Sequence, residues 1–310
     1  MNNIKYLRVI VNNSCNLSCF FCHREGEKCS KKSVPFDKAL LIDMLQIMKA
    51  VGIRKIKFLG GEPTLCQELP SVIEAIRDPN IDISMITNGV VDEAVICRFC
   101  KAGLNRINVS LHGFDGDVFH KVTGGSKQQL VKTFNTIKYL QYKGKLGKIN
   151  YVLLKGVNED EFYQVLDYVV DNNLVLDVLN YLGDQPEEIK RFYYSFDEIV
   201  RIIQSKYDVS IAEPYINQWS LPSTRLSLRP QGIINLKTTQ LKSINYLKGC
   251  SACNKRAICL EGISAIRLSA DGIIKPCIFR DDNIFDLKKN MEGHTREETV
   301  DAIEKYFGQL

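Results

Sequence analysis

Lys55-Ile56-Lys57-Phe58-Leu59-Gly60-Gly61-Glu62-Pro63 is the stretch that decides the fold. Lys57 to Leu59 is a short apolar-rich run closed by a glycine pair, as a buried strand should be. Upstream, Phe36–Val51 carries Leu40, Leu41, Met44, Leu45, Ile47 and Met48 at helical spacing. Asp37 stands near its start, where a carboxylate suits the helix dipole, and Gly52 follows its end. The same alternation extends outward. Strands are expected at Leu7–Val11, Lys55–Leu59, Ile83–Ile86, Arg106–Val109, Ile149–Leu153 and Val175–Leu179. Helices are expected at Phe36–Val51, Gln67–Arg77, Asp92–Ala102, Gln128–Tyr142, Glu159–Asn172 and Phe196–Lys206. Six strand–helix repeats place the chain in the α/β class, with a parallel sheet curled as an incomplete (β/α)6 TIM-type barrel. An open doubly wound sheet is the competing geometry.

The division expected is a partial barrel over residues 1–206 and a small auxiliary domain over 207–310, closed by a helix at Thr295–Phe307. The 310 residues suffice for a large core without disulfides. Lys and Arg number 41 against 36 Asp and Glu, a spread excess of +5 that argues against a nucleic-acid polymer as partner. No run of 18 apolar residues suggests a membrane span, and Met1–Arg8 lacks a signal-peptide pattern, so the cytoplasm is the expected compartment. Eleven cysteines, an odd number mostly in two clusters, favour metal or iron–sulfur ligation over a disulfide framework.

The first cluster is Cys15-x3-Cys19-x2-Cys22, on a loop after the first strand. Three thiolates at this spacing reach three corners of one inorganic cluster and leave one iron open, since four-iron clusters usually take four cysteines. A zinc site completed by His23 is the alternative, although structural zinc usually pairs two separated ligand units. Gly60-Gly61-Glu62-Pro63 follows the second strand, Thr87-Asn88-Gly89 the third and Ser110-Leu111-His112 the fourth. In a parallel barrel these share the C-terminal face, where active sites are built.

Cys15-x3-Cys19-x-Phe21-Cys22 with the Gly60–Pro63 loop resembles the radical S-adenosylmethionine superfamily. The resemblance implies a [4Fe-4S] cluster on Cys15, Cys19 and Cys22 whose open iron binds S-adenosylmethionine. Reductive cleavage then yields a 5′-deoxyadenosyl radical that abstracts a substrate hydrogen atom. It also implies cofactor contacts from Phe21, Gly60, Gly61, Glu62, Thr87, Asn88, Ser110 and Leu182, and a donor such as flavodoxin or ferredoxin.

The second cluster is Cys250-x2-Cys253-x5-Cys259-x17-Cys277, with a β-hairpin around Asp271-Gly272 that would return Cys277 to the first pair. Tetrahedral zinc uses similar spacings and stays open as a reading. This stretch, with Arg106–Leu111, Lys148-Ile149-Asn150 and Lys155–Asp160, resembles the GTP 3′,8-cyclase family of molybdopterin biosynthesis over roughly residues 5–287. That resemblance implies an auxiliary [4Fe-4S] cluster and substrate contacts from Arg8, Lys57, Lys148 and Arg267. The departures are a fourth cysteine, Cys259, as in SPASM and Twitch domains; Lys57, which lacks the bidentate fork of arginine; and Ala265 and Asp177 at arginine positions. The expectation is therefore a relative acting on a small anionic molecule, nucleotides included. The alternatives are a peptide-modifying radical enzyme and a non-catalytic iron–sulfur sensor. His112 is read equally as a substrate contact or a structural hydrogen bond. Cys97 and Cys100, one helical turn apart, read as core thiols, and Cys29 and Cys66 as incidental. Trp219, Tyr215 and Tyr181 read as packing aromatics.

Overall fold

A computed structural model describes residues 4–26, 36–182, 186–212, 223–237, 250–251, 253 and 265–310. Six parallel strands run β1 (Tyr6–Ile10), β2 (Lys55–Leu59), β3 (Asp82–Thr87), β4 (Arg106–Ser110), β5 (Leu146–Val152) and β6 (Val175–Leu179). Between them stand α1 (Lys38–Ala50), α2 (Leu69–Ile76), α3 (Glu93–Lys101), α4 (Gly116–Thr123), α5 (Lys127–Tyr142) and α6 (Phe162–Asp171). Then come α7 (Pro186–Phe192), α8 (Phe196–Gln204), β7 (Val209–Ile211), β8 (Ser223–Leu228) and β9 (Ile233–Lys237). The chain ends with β10 (Ile266–Leu268), β11 (Ile273–Lys275), β12 (Phe285–Asp286), α9 (Leu287–Gly293) and α10 (Arg296–Gln309).

All described strands join one sheet, ordered β12-β11-β10-β1-β2-β3-β4-β5-β6-β9-β8-β7. The eight central members from β10 to β9 are parallel. Antiparallel strands cap both ends, so the sheet stays open, as an incomplete barrel requires. Residues 207–310, expected as an appendage, thus extend the barrel sheet on both sides. The hairpin expected around Asp271-Gly272 is β10–β11, with Gly272 at φ +88°.

Local chemistry explains the helices. Asp37 caps α1 by accepting from Leu40 N–H at 3.0 Å. Ser126 and Gln129 close a reciprocal capping box on α5, and Thr295 and Glu298 close another on α10. The buried faces of these helices and Leu7, Ile56, Met85, Ile107, Ile149 and Leu176 from the strands form one continuous core. Three helices escaped the sequence reading, α4, α7 and α9. All are short, so their periodicity covers scarcely two turns.

The inward rows of the sheet are polar. Arg8 lies in register with Lys57 on one side and Arg267 on the other, Asn108 with Lys148, and Asp177 with Asn235. Ser84 Oγ, both side-chain polar atoms of Asn108 and Asn235 Oδ1 are buried without a hydrogen-bond partner in the described structure. A polar layer of this kind inside a barrel is costly unless something binds it.

Candidate active site

The cluster loop leaves the end of β1 and is held on three sides. Gly61 N–H donates to Asn12 O at 2.8 Å and Glu62 N–H to Ser14 O at 2.7 Å, which ties the Gly-Gly loop to the residues before Cys15. A Cβ on Gly61 would lie 2.1 Å from Ser14 O, so only glycine permits this approach of two backbones. On the second side, Ser18 N–H donates to Thr123 O at 2.8 Å and Phe20 N–H to Val122 O at 3.3 Å, which clips the loop to the end of α4. On the third, Asn88 Nδ2 donates to Asn16 Oδ1 at 2.7 Å and lies 3.7 Å from Cys15 Sγ.

Glu62 is buried, and the protein satisfies its carboxylate. Oε1 accepts from Thr64 N–H at 3.0 Å and from the hydroxyls of Thr64 and Thr87, both at 2.7 Å; Oε2 accepts from Asn88 N–H at 2.8 Å. Burial pushes its carboxyl above the usual range, and these donors pull it back. Glu62 therefore fastens the end of β3 to the Gly-Gly loop.

One cavity of about 280 Å³ opens over these loops. Its walls include Cys15, Cys19 and Cys22 and all eight expected cofactor contacts: Phe21, Gly60, Gly61, Glu62, Thr87, Asn88, Ser110 and Leu182. Arg8, Glu25 and His112 line it as well. Of the four expected substrate cations, Arg8 alone reaches this wall. Lys57 and Lys148 stand two residues earlier on their strands than the cavity residues Leu59 and Asn150, one inward layer below. Arg267 is beside Arg8 in the sheet.

Carboxylates already engage three of these cations. Glu25 bridges Arg8 and Arg267, with Arg267 Nε donating to Oε2 at 3.2 Å. Asp177 pairs with Lys148 and accepts from Asn235 Nδ2 at 2.8 Å. Burial and the charges of Lys148, Arg8 and Arg106 hold the Lys57 ammonium far below its ordinary range. Sequence reasoning missed Glu25 altogether. It missed the support from α4 too, although Asp115 before that helix and Gly124-Gly125 after it are helix start and stop signals.

The three thiols form one set. Burial, then the neighbouring Cys22 and Cys15, push the Cys19 thiol up to about 12. Among the described residues, no three Cys, His, Asp or Glu side chains converge on one metal ion. Cys15, Cys19 and Cys22 line one cavity wall, as three ligands of one inorganic cluster would.

The family model for the radical SAM superfamily matches residues 9–169. The chain belongs to that superfamily. A [4Fe-4S] cluster and S-adenosylmethionine are thereby its cofactors, and the thiol-lined cavity fits them. The chain is similar over most of its length to proteins named probable GTP 3′,8-cyclase. The Methanococcus aeolicus protein is 29% identical over 293 residues, 92% of this chain and 88% of that one. The Methanocaldococcus jannaschii protein is 28% identical over 312 residues, covering 98% and 96%. Among solved structures, Streptococcus suis SuiB bound to its precursor peptide SuiA aligns with a TM-score of 0.61 at 16% identity, over 89% of this chain and 60% of that one. The AdoMet-bound enzyme anSMEcpe aligns at 0.57 with 15% identity, over 88% and 74%. At such identities these two structures show the shared fold alone.

The second cysteine set is partly visible. Cys253 N–H donates to Cys250 O at 3.1 Å, and Phe279 N–H lies 3.4 Å from Cys277 Sγ. Cys259, Cys29, Tyr215 and Trp219 lie outside the described residues. Cys97 and Cys100 lie half-buried on α3. No helix among the described residues is long and apolar enough to cross a membrane.

Proposed function

We propose that this radical SAM enzyme abstracts a hydrogen atom from a small anionic substrate of the nucleotide class, in the manner of the GTP 3′,8-cyclases. The observation that carries this reading is similarity to those cyclases over more than nine-tenths of the chain, together with Arg8 on the cavity wall and Arg267 beside it. The bound cluster and S-adenosylmethionine supply the 5′-deoxyadenosyl radical; the chain supplies position and a cavity closed to side reactions. Phe21, Gly60, Gly61, Glu62, Thr87, Asn88, Ser110 and Leu182 surround the cofactor in this reading. Arg8, Lys57, Lys148 and Arg267 set the electrostatics of the substrate end. Glu25 and Asp177 offset part of that charge, which favours a substrate needing fewer cations than a triphosphate gripped by several free arginines.

In the same reading, residues 1–206 form the catalytic barrel. Residues 207–310 hold an auxiliary iron–sulfur cluster on Cys250, Cys253 and Cys277, with Cys259 as a fourth ligand. The electron donor is of the flavodoxin or ferredoxin class. The test is anaerobic incubation of the reconstituted, reduced protein with S-adenosylmethionine and GTP, followed by mass spectrometry. A new GTP-derived product supports the reading with GTP itself as substrate. Cofactor cleavage that ignores GTP but is stimulated by a smaller anion supports the lower charge demand. Stimulation by a peptide alone overturns the reading.

A further inference from the structure

His112 ends the β4 loop and is 8% exposed. Its ring is held from two directions. Nδ1 accepts a hydrogen bond from Val152 N–H at 3.1 Å, and Phe21 packs edge-to-face at 4.7 Å between ring centroids. The backbone below is fixed too, because Asn158 Nδ2 donates to His112 O at 3.2 Å. Burial lowers its basicity to about 3, so the imidazole is neutral at physiological pH. A neutral ring that accepts at Nδ1 must carry its proton on Nε2. The tautomer is therefore set by the Val152 amide. Nε2–H has no acceptor among the described residues, and the ring lines the cofactor cavity. Phe119, Val152, Leu179 and Leu182 give the same cavity an apolar part. An uncharged donor in an apolar wall suits an uncharged acceptor, since an ionic group placed there would lose its hydration.

We propose that His112 is a positioning residue for the cofactor, whose Nε2–H donates a hydrogen bond to an uncharged acceptor of the nucleoside half of S-adenosylmethionine. The inference rests on the cofactor assignment and not on the substrate proposed above, and a binding measurement separates the two.

The experiment compares two variants by anaerobic calorimetry on cluster-loaded protein, with S-adenosylmethionine and with 5′-deoxyadenosine as probes. His112→Asn leaves an amide oxygen near the Nδ1 position for the Val152 N–H and removes the distal donor. His112→Gln places an amide N–H near the Nε2 position. The expected result is roughly tenfold weaker binding of both probes by His112→Asn, the loss of one neutral hydrogen bond, with substantial recovery in His112→Gln. Affinities within twofold of the parent in His112→Asn overturn the proposal, as does an equal loss in both variants. Should His112→Asn fold poorly, the parent protein decides the matter. With four histidines in the chain, 15N-histidine NMR can follow each ring. The His112 Nε2–H resonance is expected to shift on adding 5′-deoxyadenosine, and an unmoved resonance overturns the assignment.

Discussion

Glu25 accepts a hydrogen bond from Arg267 at 3.2 Å across 242 residues of chain, and the same carboxylate holds Arg8. Arg8 and Arg267 are register neighbours on adjacent parallel strands, so two like charges face the same interior and one carboxylate offsets them. Glu25 reaches them from a backbone in the left-handed region, at φ +54°, directly after Arg24 at φ +49°. Two consecutive non-glycine residues in that region cost free energy, which this pairing helps to offset.

Glu25→Gln should therefore act in two directions. Arg267 is nearly buried, so losing the Glu25 charge beside it should lower the denaturation midpoint. With the Glu25 charge removed, the site beside Arg8 and Arg267 should bind inorganic tripolyphosphate or GTP several-fold more tightly by calorimetry. Unchanged anion affinity would show that this pair does not face the substrate.

Gly61 is required for the approach of its loop to the cluster loop. Gly61→Ala sets a methyl against Ser14 backbone atoms at 2.1 and 2.5 Å, which nothing but backbone movement relieves. Iron incorporation at the first cluster should fall severalfold, measured as iron per protein in a background lacking Cys250 and Cys253. Gly308→Ala, where an added Cβ meets nothing within 4 Å, is the control and should leave iron content unchanged.

Glu62→Gln should destabilise the protein even without its cluster. Four donors converge on this buried carboxylate, and an amide turns N–H groups toward some of them. A loss of about 2–4 kcal/mol is expected in the cluster-free protein by chemical denaturation. A variant as stable as the parent would mean that the carboxylate serves the cofactor alone.

His112 links stability to pH. The folded protein keeps it neutral to about pH 3, whereas an unfolded histidine binds a proton near ~6.5. Between these values the unfolded chain binds more protons, so stability falls as pH is lowered through that window. Between pH 7 and 5 this one residue accounts for about 2 kcal/mol. His112→Asn should remove that part of the slope in denaturation curves at the two pH values.

Much of this molecule was legible in its sequence. Strands such as Lys55–Leu59 and Val175–Leu179 stand where their apolar runs end, because buried parallel strands leave a nearly continuous signal. The Cys15–Cys22 and Gly60–Pro63 motifs likewise led to one cavity. What stayed hidden was long-range pairing. Lys148 read as a substrate contact, and its pairing with Asp177, 29 residues away on the next strand, had no local signal. Glu25 carries no local signal, since its role exists only once β10 has returned to the side of β1. Glu62 was legible as part of a motif, but its hydrogen bonds to Thr87 and Asn88 depend on the packing of two loops.

The most direct test of the account is the yield of 5′-deoxyadenosine from reduced, anaerobically reconstituted protein and S-adenosylmethionine, compared with Cys19→Ala. The account predicts time-dependent product from the parent chain, stimulated by a nucleotide-class anion, and none above background from the variant. No product from parent protein with its iron content verified, or equal product from the variant, would contradict it.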